Sequence, residues 1–525
     1  GERRPLLGGT SPKGGGVVCV VAAVGLERVA FFSLAANLEV FLTTTFGWRS
    51  NQASCALLLL LVGSHLLSPV GGWLADVYLG SYTTVAISFS LALVATSLMP
   101  ITAWWDGRLS VCGQPPTCSW QHGGTCPGGQ PPQQYCAPTI YSSLLVFALG
   151  ISSIRANLTP FGVNQMRDQG GDTTRRFFNW FYWSVNTGAV FSLLLVAFVQ
   201  QNVSFLAAYL IPVICLALGF LIFLLATPTY ISKPCRGSQV STIIKLALQS
   251  CGCTWLVDTK TRMSQGEPGS PVPNGGVQPG APSLKEDLEN FQMLARTLPV
   301  LLTFIPYWVV FFQVQVMFYL QRLNFHVPNI FQHDQNHTSI FQGYVFPDAW
   351  LLLANMMVLV ALVPLKDHLV DPFLARRGLL PSALKRMGLG MFFSFTSIFT
   401  AGVLEWEWPH SMHHNQMMPS ALGGNHDLAA TLPNLWQVPQ YLLMATSELL
   451  TSTSGLEFAH TEAPRSMEGA VMGLFFFMGG MGLLVGGSLL TTLPITSGPI
   501  ATYFFLLAAI QLATCLLVTW ISWKW

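Results

Sequence analysis

The stretch VVAAVGLERVAFFSLAANLEVFL (residues 20–42) decides how this chain is read. Its length and apolar content suit a helix crossing lipid, since about 20 such residues span the hydrocarbon core. Yet it carries Glu27, Arg28 and Glu39. A charge at the centre of such a helix costs roughly 2.5–3.5 kcal/mol on insertion scales, so Glu27 and Arg28 together oppose insertion by about 5–7 kcal/mol. Adjacent helical residues point about 100° apart, which predicts that the two do not simply cancel each other and that each needs a partner from elsewhere or a wet cavity. Glu39, eleven residues past Arg28, returns to nearly the same face. An apolar helix with one polar stripe implies a wet or ion-paired interior formed with other helices.

The rest of the chain supplies those helices. It has 525 residues, 51% hydrophobic and only 9% charged. Membrane-length apolar segments fall near 17–44, 54–75, 82–104, 139–162, 177–198, 204–226, 295–320, 347–365, 387–404, 435–457, 468–493 and 500–523. The stretch VDTKTRMSQGEPGSPVPNGGVQPGAPSLKEDLEN, rich in Gly, Pro and Ser, reads as a flexible linker. The expected fold is therefore an all-α polytopic membrane protein with twelve transmembrane helices in two six-helix bundles. Its parts are a cytosolic tail (1–16), a first bundle (17–228), a cytosolic linker (229–290) and a second bundle (291–525). The first helix is expected to insert as an uncleaved anchor. Two bundles in tandem suit a carrier whose site lies between the halves.

Basic residues set the orientation. With a cytosolic N-terminus, the cytosolic segments hold nearly all Lys and Arg, among them Arg175, Arg176, Lys366, Arg376, Arg377, Arg386 and Arg465, and the other side keeps Arg49, Arg108 and Arg322. Cys112, Cys118, Cys126 and Cys136 crowd the non-cytosolic loop between helices 3 and 4. Two disulfides are expected there, with three pairings open; the lack of CxxC spacing argues against a zinc knuckle, and no metal is expected. Asn336 opens the sequon NHT on the same side and is a glycosylation candidate.

The tail GERRPLLGG places Glu2 ahead of Pro5, Leu6 and Leu7, the acidic dileucine pattern that clathrin adaptors read on endolysosomal proteins. Eight of the eleven histidines fall in non-cytosolic loops, where an acidic lumen would charge them. Lysosomal and endosomal membrane is the expected location.

Other segments carry groups that match the charges of the first. Arg155 interrupts helix 4, Asn186 lies in helix 5, Gln313 in helix 7, Asn355 in helix 8 and Glu448 in helix 10. Two cations, acids and amides spread over both halves suit a zwitterion, with Arg28 and Arg155 for its carboxylate and Glu448 for its ammonium. No triad, HExxH or nucleotide motif points to an enzyme, and no nucleic-acid partner is expected.

Longer blocks carry a resemblance. GGWLADVYLG (71–80) resembles the gating loop of the major facilitator superfamily, with Asp76 its helix-end acid. RRFFNWFYWSVNTGAV (175–190) and GLEFAHTEAPRSM (455–467) are similar to signature blocks of the proton-coupled oligopeptide transporters. With PLLGG, PYWVVFFQVQ, VPLKDHLVDP and WQVPQYLL, they look most like that family's animal peptide/histidine branch, a lysosomal one.

The resemblance implies proton-driven export of free histidine and di- or tripeptides, bacterial muropeptides among them, with protons as coupling ion and no cofactor. It implies that Glu27 and Arg28 are the last two positions of an ExxER motif, the acid coupling protons and the arginine binding the peptide carboxylate. Arg155 would assist both, Asn186 and Asn355 would hydrogen-bond the peptide, and Glu448 would receive its amino terminus. The first motif glutamate is replaced by Val24, an aromatic pair is Phe31 and Phe32 rather than Tyr, His65 stands where relatives have Tyr, and Gln313 where many have Asp. Glu27, with His65 or Glu39 as substitutes, is left for the proton path. The competing class is a weakly transporting or non-transporting scaffold that recruits a cytosolic adaptor, an immune one among the candidates. The missing acid at Val24 and the palmitoylation-type cysteines Cys251 and Cys253 motivate it.

Overall fold

The computed structural model describes residues 12–114, 134–166, 171–231, 284–326, 353–412, 417–419, 428–433, 438–492 and 500–525. Glu2, Leu6, Leu7, Cys118, Cys126, Cys251, Cys253 and Asn336 lie outside the described residues.

Apolar helices with few charged positions follow one another in chain order. One half comprises α1 (Pro12–Ala36), α2 (Ser50–Leu66), α3 (Ser81–Ala103), α4 (Ala137–Asn164), α5 (Gly171–Phe191) and α6 (Phe205–Leu225). The other comprises α7 (Phe304–Asn324), α8 (Leu353–Leu365), α9 (Ala383–Met412), α10 (Val438–Thr461), α11 (Glu468–Thr492) and α12 (Ile500–Lys524). By length and composition, 10 spans among the described residues are apolar enough to cross a membrane. Of the remaining two helices, α8 is described only from Leu353, and α10 carries the polar run ATSELLTSTS.

There are three local departures from the sequence expectations. The first segment breaks at Asn37 and resumes as Leu38–Phe46, and the Asn37 amide donates to the Ala197 carbonyl (3.2 Å) and to Gln200 Oε1 (2.8 Å). The expected linker ends early, because a helix over Leu284–Leu302 precedes α7: Gly and Pro stop at Pro282, and LKEDLEN contains nothing that breaks a helix. A small sheet also forms, β1 (Phe325–His326), β2 (Met417–Pro419) and β3 (Leu428–Pro433), in the order β1-β3-β2 with β1 parallel and β2 antiparallel to β3.

Within the halves, α1 packs on α5 and α6, α3 on α4 and α6, α9 on α10 and α12, and α7 on α11. The halves meet where α2 lies on α11 and α5 on α8 and α10. Small residues permit the first of these approaches: a Cβ on Gly72 would collide with the Gly469 carbonyl, and one on Gly480 would come within 2.7 Å of the His65 Cβ.

The two halves end their second helices alike. After its continuation Ser68–Leu74, α2 finishes in a π-turn, Ala75–Leu79, and α8 finishes in another, Lys366–Val370, each with an aspartate in second place. Asp76 caps α11, accepting from the Gly469 (3.2 Å) and Ala470 (2.7 Å) amides, the favoured place for a carboxylate. Asp367 accepts from Arg176 Nε and Nη2 (3.3 Å each), Asn179 (3.2 Å) and Trp180 Nε1 (3.2 Å), all on α5. Lys366 adds bonds to Asn179 (2.8 Å) and Asp371 (3.0 Å). These two aspartate clusters latch this basic end of the bundle, and Asn164 on α4 adds a bond to Glu468 on α11 (2.5 Å).

Each latch uses charge-assisted bonds worth about 1.5–3 kcal/mol, so removing both shifts the closed–open balance at this end by on the order of tenfold or more. Asp76→Ala combined with Asp367→Ala is therefore expected to speed labelling of Leu456→Cys by an impermeant maleimide added on the basic side. Unchanged labelling would refute the latch role.

At the opposite end Cys112 is joined to Cys136, with their Cα atoms 5.0 Å apart. Arg108 braces the same corner, donating from Nη1 to the Thr45 carbonyl (2.9 Å) with its guanidinium 5.2 Å from the Trp105 ring centre. Burial lowers the Arg108 pKa, an effect that the nearby Tyr135 opposes.

Candidate functional site

A cavity of about 340 Å³ lies between the halves. Its polar wall comes from α1, α2 and α4 on one side and from α10 on the other. Glu27, Arg28, His65, Arg155 and Glu448 all face it.

Glu27 and Arg28 are 1% and 5% exposed and bind each other, with Arg28 Nε and Nη2 donating to the two carboxylate oxygens. The expectation that neighbours on a helix cannot pair is corrected here: the arginine side chain is long enough to fold back across the 100° that separates their Cβ directions. Mutual pairing offsets part of the cost of burying either charge. The Arg28 guanidinium also lies 5.1 Å from the Phe31 ring centre.

Arg155 reaches Phe31 as well, 4.6 Å from the ring centre, and donates from Nη1 to His65 Nε2 at 2.9 Å. His65 Nδ1 lies 2.9 Å from the Leu61 carbonyl oxygen. A carbonyl can only accept and a guanidinium can only donate, so these partners assign a neutral imidazole with its proton on Nδ1. Arg155 Nε is buried without a hydrogen-bond partner. Around Phe31 there are thus two guanidiniums and one carboxylate, a surplus of positive charge turned toward the cavity.

Glu448 forms the opposite pole. Tyr182 on α5 donates its hydroxyl to Oε1 (2.5 Å) and Asn355 on α8 donates to Oε2 (2.8 Å), so this 5%-exposed carboxylate ties the two halves together. Ser452, one turn along α10, lines the cavity with its buried hydroxyl unpartnered. Neither Tyr182 nor Ser452 was singled out from the sequence. The signal was spacing: Tyr182 precedes Asn186 by four residues and Ser452 follows Glu448 by four, one helical turn in each case.

The other expected site residues stand apart from the cavity. Asn186 donates to the Tyr182 carbonyl of its own helix (2.8 Å). Gln313 is consumed between the Gly486 carbonyl and the Tyr503 hydroxyl, tying α7 to α11 and α12. Glu39 accepts from Ser50 and Ser54 (2.8 Å each), at the first turn of α2. Asn355 acts through Glu448, and Asp76 sits at the basic end. Val24, where an acid is missing, lines the cavity at 3% exposure. No cluster of metal-ligating side chains occurs among the described residues.

Residues 119–504 match the POT family. Solute carrier family 15 member 3 of Rattus norvegicus is 47% identical over 99% of this chain and 94% of its own, and the Mus musculus protein of that name is 46% identical over the same shares. Among solved structures, an auto-inhibited POT family peptide transporter superposes with a TM-score of 0.61 at 18% identity, covering 97% of each chain, which supports the fold. A transmembrane two-bundle fold, an inter-bundle cavity with opposed charges and this full-length identity together make the chain a member of the POT family, a proton-coupled peptide transporter of the major facilitator fold.

Proposed function

We propose that this protein is a symporter that carries short peptides and free histidine, with protons, from the endolysosomal lumen to the cytosol. One observation carries the reading: Glu27 occupies Arg28 with both of its carboxylate oxygens. A cargo carboxylate needs the same guanidinium edge. A proton arriving on Glu27 weakens its hold and frees Arg28 for cargo, so proton and cargo favour one another's binding, which is the linkage a symporter requires.

The cycle follows from the two poles. In the lumen-facing state, closed at the basic end by Asp76 and Asp367, protonated Glu27 releases Arg28, and Arg28 and Arg155 take the cargo carboxylate while Glu448 takes its ammonium. The ammonium displaces the Tyr182 hydroxyl from Glu448, loosening the tie between the halves and allowing them to rock. On the cytosolic side Glu27 loses its proton, recaptures Arg28 and expels the carboxylate. About 2 pH units across the membrane supply roughly 2.7 kcal/mol per proton, enough for about hundredfold accumulation with one proton.

Counterflow of labelled histidine and a labelled dipeptide in proteoliposomes, with and without an imposed pH gradient, tests this. Gradient-driven accumulation is the expected result, and exchange indifferent to the gradient would reject it. His65, spent as an acceptor for Arg155, has no part in the proton path: His65→Gln keeps an acceptor there and is expected to leave the pH profile of uptake unshifted. A displaced profile would assign the proton to His65.

Val24 favours a second reading, a scaffold that recruits a cytosolic adaptor. The cavity has an apolar wall where the family motif has a carboxylate. A scaffold should keep its adaptor binding when Glu448 is neutralised.

A further inference from the structure

Beyond the π-turn Lys366–Val370 the α8 helix runs on over Asp371–Arg376, and a turn through Gly378, with φ 66°, leads to α9. Its two faces separate the charges. Lys366, Asp367 and Asp371 are 4–6% exposed and are spent on α5 and on one another. The opposite face is open and apolar: Met357, Ala361, Leu365, Leu369 and Phe373 are exposed at every fourth position, which keeps them in one row along the helix. The next member of that row is Arg377, whose guanidinium lies 4.6 Å from the Phe373 ring centre. Arg376 and Lys385 are exposed as well, and so is Leu379 in the turn. Both acids between Leu365 and Lys385 are the buried Asp367 and Asp371, so the outer face carries cations and no carboxylate. Among the described residues Arg376, Arg377 and Lys385 have no carboxylate partner.

We propose that this outer face docks anionic phospholipid, with the row Leu365, Leu369 and Phe373 against the acyl chains and with Arg376, Arg377 and Lys385 on the headgroup phosphates at the basic edge of the bilayer. The row continues the lipid-facing side of a membrane helix, and the cations begin where the row ends, at the level where headgroups lie. Stacking on Phe373 covers one face of the Arg377 guanidinium and leaves its N–H edge free for a phosphate. A soluble acidic partner would satisfy the cations but leave Leu369, Phe373 and Leu379 in water. The dock does not depend on what the central cavity carries.

Native mass spectrometry of the full chain, titrated with phosphatidylserine or with phosphatidylcholine of the same acyl chains, tests the proposal. Each cation near an anionic headgroup is worth about fivefold in affinity, so three of them favour phosphatidylserine by about a hundredfold. Arg376→Gln combined with Arg377→Gln is expected to cut that preference by about 25-fold. Lysine at both positions keeps the charge and is expected to restore most of it. Arg465→Gln removes one exposed cation from the turn between α10 and α11, at the same end of the bundle, and is expected to leave the preference unmoved.

An unchanged preference in the double glutamine variant would overturn the dock and leave these cations to a soluble acidic partner. Equal losses in Arg377→Gln and Arg465→Gln would overturn it too, because the preference would then come from diffuse charge rather than from this face.

Discussion

Replacing Glu448 by glutamine is expected to reduce gradient-driven peptide uptake by about 30- to 5,000-fold. The buried carboxylate has Tyr182 at 2.5 Å and Asn355 at 2.8 Å, and it is the anionic pole of the cavity on α10. Glutamine fits the same volume and can still accept the Tyr182 bond, so the fold and the tie between the halves survive. What is lost is the charge that receives an ammonium. Removing one partner of a buried charge pair typically costs about 2–5 kcal/mol, which sets the range quoted. Initial rates at several peptide concentrations measure it. A capped peptide lacking its amino group should be affected far less, and equal loss for both would mean that Glu448 acts on the fold rather than on cargo.

Glu27→Gln is expected to separate binding from driving force. The variant cannot take up or lose a proton at position 27, and its amide holds Arg28 weakly. Arg28 is therefore permanently free for the cargo carboxylate. Peptide exchange at equal pH should persist, with affinity at neutral pH raised to that of the wild type at acid pH. Accumulation against a gradient should fall to the no-gradient level, a loss of up to about hundredfold for 2 pH units. Arg28→Ala should instead remove exchange and accumulation together, because the carboxylate then has only Arg155. If Glu27→Gln retained gradient-driven accumulation, the coupling proton would have to sit elsewhere.

Charges in lipid are what made much of this site legible. A carboxylate or guanidinium in an apolar segment costs enough that it must be answered by a partner, water or cargo, so Glu27, Arg28, Arg155 and Glu448 stood out from the sequence, and all four face one cavity. Amides carry less information. Asn186 and Gln313 satisfy themselves on backbone carbonyls, which are available everywhere in a helical bundle, so a buried amide need not point at a ligand. Side-chain reach was a second limit. The angle between Glu27 and Arg28 follows from the helix, but the fold-back of the arginine depends on rotamers that no residue pattern records.

The helices show the same division. Apolar length marked all twelve segments, α10 included despite its polar run ATSELLTSTS. Pairing of π-turns at the ends of α2 and α8 was invisible, since GGWLADVYLG and VPLKDHLVDP share little beyond the aspartate that each places against the other half.

The coupling of proton to cargo through Arg28 is tested most directly by following internal pH in proteoliposomes as peptide is added outside, in the wild type and in Glu27→Gln, with counterflow recorded on the same vesicles. Peptide-induced acidification in the wild type, absent in the variant while counterflow persists, is the expected result. Acidification of equal size in both would contradict a proton carried on Glu27.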